Sequence, residues 1–220
     1  CIDHPFEGMN VVRHPCMTEE IERRLFGEQL CFMYDDADTK NRPVRGVHSN
    51  AIMMWGLLPN VLRDTFKQEF AKGKLDSPDK RLTEMQWIDI LTRVRDSLVR
   101  CPLCGDESFI TRTSVSCINH HCNGAHSVTM WFETRDRSMP LINNNILRTG
   151  KGDMITGRVV LKPGTSDVLL IQNLTKHDWR IITPSNKSVT VAPRGFFPAK
   201  VGMKVEINDN ETTITYTINN

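Results

Sequence analysis

Apolar residues recur at helical spacing between Thr18 and Arg100. The clearest case begins at Thr83. Gln86 stands three residues later, the spacing of a capping box in which the two residues hydrogen-bond to each other at the start of a helix. The apolar positions that follow have i, i+3, i+4 and i+7 spacing, and they are Trp87, Ile90, Leu91, Val94 and Leu98. This pattern predicts an amphipathic helix that ends close to Arg100.

Two further helices are predicted in the same region. Thr18 is a suitable N-cap, and glutamates in the next residues suit the positive end of a helix dipole. Another helix is predicted from about Pro59 to Ala71, with one apolar face formed by Leu62, Phe66 and Phe70. The polar stretch from Phe32 to His48 contains a proline and a glycine, and it indicates a long loop.

The periodicity changes from helix to strand after Arg100. Alternating β-branched and aromatic residues predict short strands in Phe109–Ser116 and Ser127–Phe132, followed by a polar linker over 134–152. The last segment predicts six strands, which are Ile155–Leu161, Val168–Asn173, Trp179–Thr183, Ser188–Val191, Lys204–Ile207 and Thr212–Thr217. Many short strands separated by turns indicate a small all-β sandwich or barrel.

Composition and charge exclude several classes of protein. Lys and Arg number 28 against 26 Asp and Glu, so the net charge of +2 favours no nucleic-acid partner. No apolar run approaches the ~20 residues that span a bilayer, and no signal peptide is visible. Seven cysteines among 220 residues are too few for a disulfide-dense secreted scaffold. We therefore expect a cytoplasmic protein with no membrane or nucleic-acid partner.

Four of the cysteines form two close pairs with the spacing C-x2-C-x12-C-x4-C, and they are Cys101, Cys104, Cys117 and Cys122. Such pairs supply the thiolates of a structural zinc site, and Gly105 permits the tight turn that aims backbone N–H groups at the sulfurs. Four thiolates close the zinc shell, whereas catalytic zinc keeps an open position, so a structural zinc ion is predicted. Because the second pair is wide, His120, His121 or His126 is an alternative fourth ligand. Four reduced, buried cysteines without metal are the remaining alternative.

Two other cysteines stand near a histidine in the sequence. Cys16 with His14, or Cys31 with His48, has the residue types of a nucleophile and its base, but no third orienting group is identifiable. Buried or incidental cysteines are the commoner case, so no catalytic residue is assigned.

The helical region resembles the end of a protein kinase C-lobe. His4-Pro-Phe-Glu-Gly8 resembles the His-Pro-Phe-x-Gly sequence that follows the central buried helix of that lobe, and the stretch from Leu57 to Phe70 resembles its penultimate helix. Asp76-Ser-Pro-Asp-Lys-Arg81-Leu-Thr-Glu-Met-Gln-Trp87 resembles the segment that leads into the last helix. The resemblance implies that Arg81 pairs with the glutamate of an Ala-Pro-Glu motif and that Arg81 and the Trp87 helix stabilise the lobe. A solvated turn arginine is the alternative for Arg81.

The order of the parts is similar to one bacterial group of Ser/Thr protein kinases. These kinases are encoded beside von Willebrand A-type and phosphatase partners in tellurite-resistance and stress-response clusters. They combine a C-lobe, a Cys-Pro-x-Cys-Gly ribbon and a β-domain with an Asn-Leu-Thr…Trp stretch. Here the stretch from Leu170 to Trp179 matches the β-domain, and Val191 to Gly195 matches its following turn. The resemblance implies protein partners of these two types and, in a full-length parent only, binding of ATP and Mg.

The machinery of phosphoryl transfer does not occur in the sequence. The Gly-rich loop, the strand lysine, the His-Arg-Asp loop and the Asp-Phe-Gly ligand all precede the C-lobe end in kinases, and none is present here. We therefore expect a C-terminal fragment of a kinase-like protein that is inactive alone, and a non-enzymatic zinc-containing adaptor is the alternative. The predicted fold is α+β and multidomain, with a helical C-lobe end at 1–100, a zinc ribbon at 101–133, the linker at 134–152 and a small β-domain at 153–220.

Overall fold

The chain has a mixed α+β fold that divides into two units. The computed structural model describes residues 4–71, 75–101, 103–112, 116–119, 121–124, 126, 128–149, 154–209 and 212–220. Cys1–Leu91 forms the helical unit, and Thr92–Asn220 forms the β unit. No helix in the described part of the chain is long and apolar enough to cross a membrane.

The helical unit contains α1 (Met9–Val12), α2 (Glu19–Arg23), α3 (Ser49–Leu57), α4 (Asn60–Glu69) and the start of α5 (Glu84–Asp96), with a π-helical turn at Arg24–Glu28 and a 3-10 turn at Pro78–Lys80. Both predicted helix starts are confirmed. The Ile21 N–H donates to Thr18 Oγ1 at 3.3 Å, and the Thr83 N–H donates to Gln86 Oε1 at 2.8 Å. The sequence pattern did not predict α3, because its apolar residues are spread around the helix rather than gathered on one face.

The predicted loop from Phe32 to His48 is confirmed, and one buried amide organises it. Asn41 is fully buried, and its Nδ2 donates to the carbonyl oxygens of Phe6 at 2.9 Å and Cys31 at 2.6 Å. Its Oδ1 accepts from the Asn10 N–H at 2.8 Å. These bonds satisfy buried backbone groups that have no helix or strand partner.

Aromatic rings fill the space around α3, α4 and α5 in the helical unit. Tyr34 from the loop stacks on Trp55 of α3 with 4.0 Å between ring centroids. Phe66 of α4 lies 5.7 Å from the ring of Trp87 in α5. Trp87 therefore packs against the preceding helix of its own unit.

The β unit consists of a hairpin and two larger antiparallel sheets. The hairpin pairs β1 (Leu98–Arg100) with β2 (Glu107–Phe109). The other strands are β3 (Trp131–Glu133), β4 (Ser138–Pro140), β5 (Ile146–Leu147), β6 (Gly157–Leu161), β7 (Leu169–Asn173), β8 (Trp179–Ile182), β9 (Ser188–Val191), β10 (Phe196–Pro198), β11 (Lys204–Asp209) and β12 (Thr212–Asn219). One sheet has the order β10-β7-β6-β5, and the other has the order β4-β3-β12-β11-β8-β9.

Side chains from both larger sheets form one hydrophobic core. Phe132 of β3 and Tyr216 of β12 stack with 4.5 Å between ring centroids, and Trp179 of β8 is fully buried in the same cluster. Each of the six strands predicted from alternation overlaps an observed strand. The pattern missed β10, because three residues are too few to show a period of two.

The segment 134–152 was predicted to be a polar linker, and its described residues contain β4 and β5. β4 pairs with β3, and β5 pairs with β6. β4 has three residues and β5 has two, which is too short for an alternating sequence pattern. Their extended conformation therefore comes from pairing with the neighbouring strands. β3, at the end of the predicted ribbon, pairs with β12 in the register Phe132↔Ile218. The four-part division of the chain itself stays a prediction.

A buried ion pair within the β unit joins the end of α5 to the turn between β3 and β4. Arg137 Nε lies 2.7 Å from Asp96 Oδ2, and Arg137 Nη2 lies 2.9 Å from Asp96 Oδ1. The side chains are only 16% and 2% exposed. Arg137 also donates to the carbonyl oxygen of Arg148, and Tyr216 Oη donates to the carbonyl oxygen of Thr149 at 2.9 Å. A bidentate pair of this kind fixes geometry more strictly than a single contact does.

We expect Asp96→Asn to destabilise the protein by about 3–5 kcal/mol, because it leaves the Arg137 charge buried without its counter-charge. Urea-induced unfolding at neutral pH measures this change. The control is Glu206→Gln, since Glu206 pairs with Arg180 at 3.2 Å on the surface, where the loss is about 1 kcal/mol or less. An Asp96→Asn variant as stable as Glu206→Gln contradicts the role given to the buried pair.

Tyr216 predicts a loss of stability at alkaline pH. Burial raises the pKa of Tyr216 to about 12, whereas an unfolded tyrosine ionises near pH 10. The stabilisation from the neutral phenol is complete below about pH 10 and is lost as the pH rises towards 12, with a total of about 3 kcal/mol. Unfolding free energies measured between pH 9 and 12 should therefore fall more steeply for the natural chain than for Tyr216→Phe. Parallel curves for the two proteins contradict this assignment.

Candidate metal centre

The loop of the first hairpin carries two of the predicted ligands. β1 ends at Arg100, so Cys101 begins the loop, and the Cys101 N–H donates to the Asp106 carbonyl at 2.8 Å to close it. The Gly105 N–H donates to the Cys101 carbonyl at 2.9 Å, and Gly105 has φ +82°. Only glycine adopts this conformation without strain, which agrees with the tight turn predicted there.

The second loop is closed in a similar way and is tied to the hairpin. The Cys117 N–H donates to the Gly124 carbonyl at 2.8 Å, and the Cys122 N–H donates to the Asn119 carbonyl at 2.9 Å. The Asn119 amide donates to Asp106 Oδ2 at 2.7 Å, which links this loop to the first. These supporting side chains were not predicted, because nothing in the sequence marks a polar residue that positions a ligand.

The structure brings the four predicted cysteines into one cluster. The Sγ atoms of Cys101, Cys104, Cys117 and Cys122 all lie within 4.8 Å of one another. Cys101 Sγ lies 3.8 Å from Cys122 Sγ, and Cys104 Sγ lies 3.6 Å from Cys117 Sγ. Each of these two contacts joins one member of each sequence pair, so the two loops bring their sulfurs together. This arrangement can hold a metal ion.

Electrostatics at the cluster favour a bound cation. Backbone N–H groups of Cys104 and Leu103 point at the Cys101 sulfur and lower the pKa of Cys101 to about 7. For Cys104 the Asp106 N–H acts in the same direction, but desolvation and the three neighbouring thiols outweigh it and raise the pKa to about 12. Cys101 therefore loses its proton easily, and deprotonation of a second cysteine in the cluster is unfavourable. A metal cation removes that opposition, because it binds deprotonated sulfur.

Gly124 allows the sulfurs to approach each other. A Cβ atom at this position would lie 3.2 Å from Cys101 Sγ and 3.2 Å from Cys122 Sγ. Both distances are tight for carbon against sulfur, and a side chain here would push the ligands apart. The sequence signal for Gly124 is only its place two residues after Cys122.

The histidines considered as alternative ligands do not join the described cluster. His121 is exposed and His126 is buried, and neither belongs to the group of ligand atoms found among the described residues. His120 lies outside the described residues. Burial lowers the pKa of His126, and its Nε2 has no hydrogen-bond partner within the described part of the chain. The wide second pair therefore supplies both of its thiols, Cys117 and Cys122, to the cluster.

The other residues singled out in the sequence lie in the helical unit. Arg81 is exposed, and its Nη2 donates to the Leu75 carbonyl at 2.6 Å. The Ala-Pro-Glu glutamate expected beside it does not occur in the sequence, so that role of Arg81 stays a prediction.

Neither cysteine–histidine pair has the geometry of an activated nucleophile. His14 Nδ1 lies 2.7 Å from the Asn10 carbonyl, and His14 Nε2 lies 3.2 Å from Arg24 Nη2. His48 Nδ1 accepts from the Val44 N–H at 2.9 Å, and burial raises the pKa of Cys31. A raised thiol pKa lowers the fraction of nucleophilic thiolate.

Comparison with known proteins adds no relative to this picture. No family model matches the chain, and searches of curated proteins and of solved structures found no match. The site is therefore interpreted from its own geometry.

We expect Cys104→Ser to abolish stoichiometric metal binding, because a hydroxyl is a much poorer ligand than thiolate for a soft metal site. Elemental analysis of the purified variants measures the bound metal. The matched control is Cys16→Ser, which replaces an exposed cysteine outside the cluster and should retain the metal. Equal metal content in the two variants contradicts the assignment of the site.

Proposed function

We propose that the cysteine cluster binds zinc. Four zinc–sulfur bonds of about 2.3 Å in a tetrahedron place the sulfurs about 3.8 Å apart. Two of the sulfur pairs here, at 3.8 Å and 3.6 Å, agree with that edge length. Zinc is the usual metal of four-thiolate sites in which neither electron transfer nor an open position is required.

The proposed zinc has a structural role. Four protein thiolates complete the shell, so no position is left for a substrate or an activated water. The described residues of the two loops form no helix, and the metal ties the Cys101–Cys104 turn to the Cys117–Cys122 turn. Metal binding can supply the folding free energy that so small a hydrophobic cluster lacks. That cluster consists of Val99, Ile110 and Trp131.

We propose further that the helical unit is part of a larger lobe of a Ser/Thr kinase-like protein. The observation that carries this proposal is an apolar stripe on α5, where Met85, Ile88 and Leu91 are 67%, 54% and 50% exposed. Three large apolar side chains at successive helical turns are costly to leave in water, and such a stripe is typical of a helix that packs against further protein. The residues before α5 resemble a kinase C-lobe, so the rest of such a lobe is a chemically reasonable partner for this stripe.

Within this proposal the chain contributes contacts rather than chemistry. The β unit is a protein-interaction module, and von Willebrand A-type and phosphatase proteins are its proposed partners. A non-enzymatic adaptor is the second candidate, favoured by the same exposed stripe if the stripe binds a separate protein. The coding sequence upstream of Cys1 distinguishes the two, since His-Arg-Asp and Asp-Phe-Gly motifs there support the kinase and a start codon directly before Cys1 supports the adaptor.

Metal analysis combined with an ATPase assay tests this proposal. We expect the purified chain to contain one zinc ion and to show no hydrolysis of Mg-ATP above the buffer rate, because the groups that bind nucleotide do not occur in its sequence. If the purified chain contains a different metal instead of zinc, the structural-zinc assignment is contradicted. Saturable ATP hydrolysis that copurifies with the chain contradicts a non-catalytic role.

A further inference from the structure

A cavity of about 400 Å³ in the β unit lies where three segments of the chain meet. Ile155 and Thr156 directly precede β6, residues 174–177 form the turn after β7, and Asn208 lies near the end of β11. The volume is within the range of ordinary ligand pockets, which are mostly apolar and carry a few polar groups that orient the ligand.

Large apolar side chains form much of the cavity lining, and they are Met154, Ile155, Leu174, Ile207 and Ile214. Met154, Ile155 and Leu174 are between 39% and 53% exposed. Exposed apolar side chains that converge on one cavity, with polar residues beside them, are typical of a ligand-binding groove. This part of the lining therefore favours the apolar part of a ligand.

The two buried threonines of the lining are already hydrogen-bonded within the protein. Thr149 Oγ1 donates to Thr156 Oγ1 at 2.8 Å, and Thr156 Oγ1 donates to the Leu147 carbonyl at 3.1 Å. Because both hydroxyl protons are engaged, neither threonine requires a ligand as its hydrogen-bond partner. This wall of the cavity therefore requires no polar group from the ligand.

The turn after β7 holds Lys176 in a defined position beside the apolar residues. Asn173 is fully buried, its Oδ1 accepts from the Thr175 N–H at 2.9 Å, and its Nδ2 donates to the His177 carbonyl at 2.8 Å. Trp179 Nε1 donates to Thr175 Oγ1 at 3.1 Å. These bonds fix the backbone on both sides of Lys176, and they give the Asn-Leu-Thr…Trp stretch a role in building the cavity.

Lys176 gives the described lining a positive charge. It is the only lysine, arginine, aspartate or glutamate among the described lining residues, and Asp178, two positions further along the chain, is not one of them. Lys176 is exposed, and its side chain makes no ion pair or hydrogen bond with any residue that the structure describes. Asn208 Oδ1 accepts from Thr213 Oγ1 at 2.7 Å, so the NH2 group of this amide is the part left to bond a ligand. The polar side of the lining thus favours a ligand group that is anionic and accepts hydrogen bonds.

We propose that this cavity binds a small amphipathic monocarboxylate of the medium-chain fatty acid type. The apolar chain packs on Met154, Ile155 and Leu174, and the carboxylate pairs with Lys176. One lysine matches a single negative charge, whereas a phosphate ester carries about −1.5 to −2 and would keep an uncompensated charge. A cationic ligand finds no carboxylate among the described lining residues. The proposal depends neither on the kinase relationship nor on the identity of the metal.

Titration of the purified full chain with octanoate, followed by two-dimensional amide NMR spectra, tests the proposal. We expect saturable shifts of the signals from Ile155 and residues 174–177, with a dissociation constant in the millimolar range or tighter. Lys176→Gln should weaken octanoate binding by about three- to fivefold, the effect of one exposed ion pair. The same variant should bind octanol, the uncharged molecule of equal chain length, within twofold of the natural chain. Leu174→Ser should weaken binding of both molecules by about threefold or more, because it removes apolar contact surface.

The matched controls are Lys187→Gln and Val201→Ser, which remove a lysine and an exposed apolar side chain outside the cavity. We expect both controls to bind octanoate within twofold of the natural chain, and all four variants to unfold at an unchanged temperature. The absence of saturable shifts, or shifts confined to signals outside the cavity, overturns the proposal. Unchanged octanoate affinity in Lys176→Gln, or an equal loss in Lys176→Gln and Lys187→Gln, overturns the pairing of the carboxylate with Lys176.

Discussion

The buried Asp96–Arg137 ion pair is the interaction on which other features of the β unit depend. It fixes the end of α5 just before β1, and β1 leads directly into Cys101. The same guanidinium donates to the Arg148 carbonyl and so holds the residue that follows β5. A buried pair stabilises only when both charges are present, because a single remaining charge is expensive to desolvate. The ion pair therefore ties together the chain segments that lead into the first cysteine loop and out of β5.

The cysteine cluster imposes a second constraint, since four thiols cannot all ionise at such short distances without a cation. The backbone N–H groups that point at Cys101 stabilise one negative charge, and desolvation together with the neighbouring thiols raises the pKa of Cys104 and so opposes another. A divalent metal would relieve this repulsion, and in the structural role proposed above it would supply folding free energy to loops that have little hydrophobic core.

Features set by neighbouring residues could be predicted from the sequence. The capping box of Thr83 and the turn of Gly105 depend on contacts within a few positions. The cysteines of the cluster were predictable for the same reason, because each pair lies on its own loop. The helix α3 and the strand pair β4–β5 were missed, since the first lacks a one-sided apolar face and the second is too short to show a period. Their conformation comes from packing and from strand partners.

Local chemistry along the chain was sufficient to determine the α+β class, the helix starts and the four cysteines whose sulfurs come together in a cluster that could hold a metal ion. Tertiary structure alone decided that sulfurs of the two sequence pairs meet in one cluster, and that Asp96 meets Arg137 from forty-one positions away. It also decided that Ile155, Leu174 and Ile207 line one cavity. The physical reason is the range of the interactions: hydrogen bonds of turns and caps act between near neighbours, whereas ion pairs and cavities require chain segments that only the folded sheets bring together.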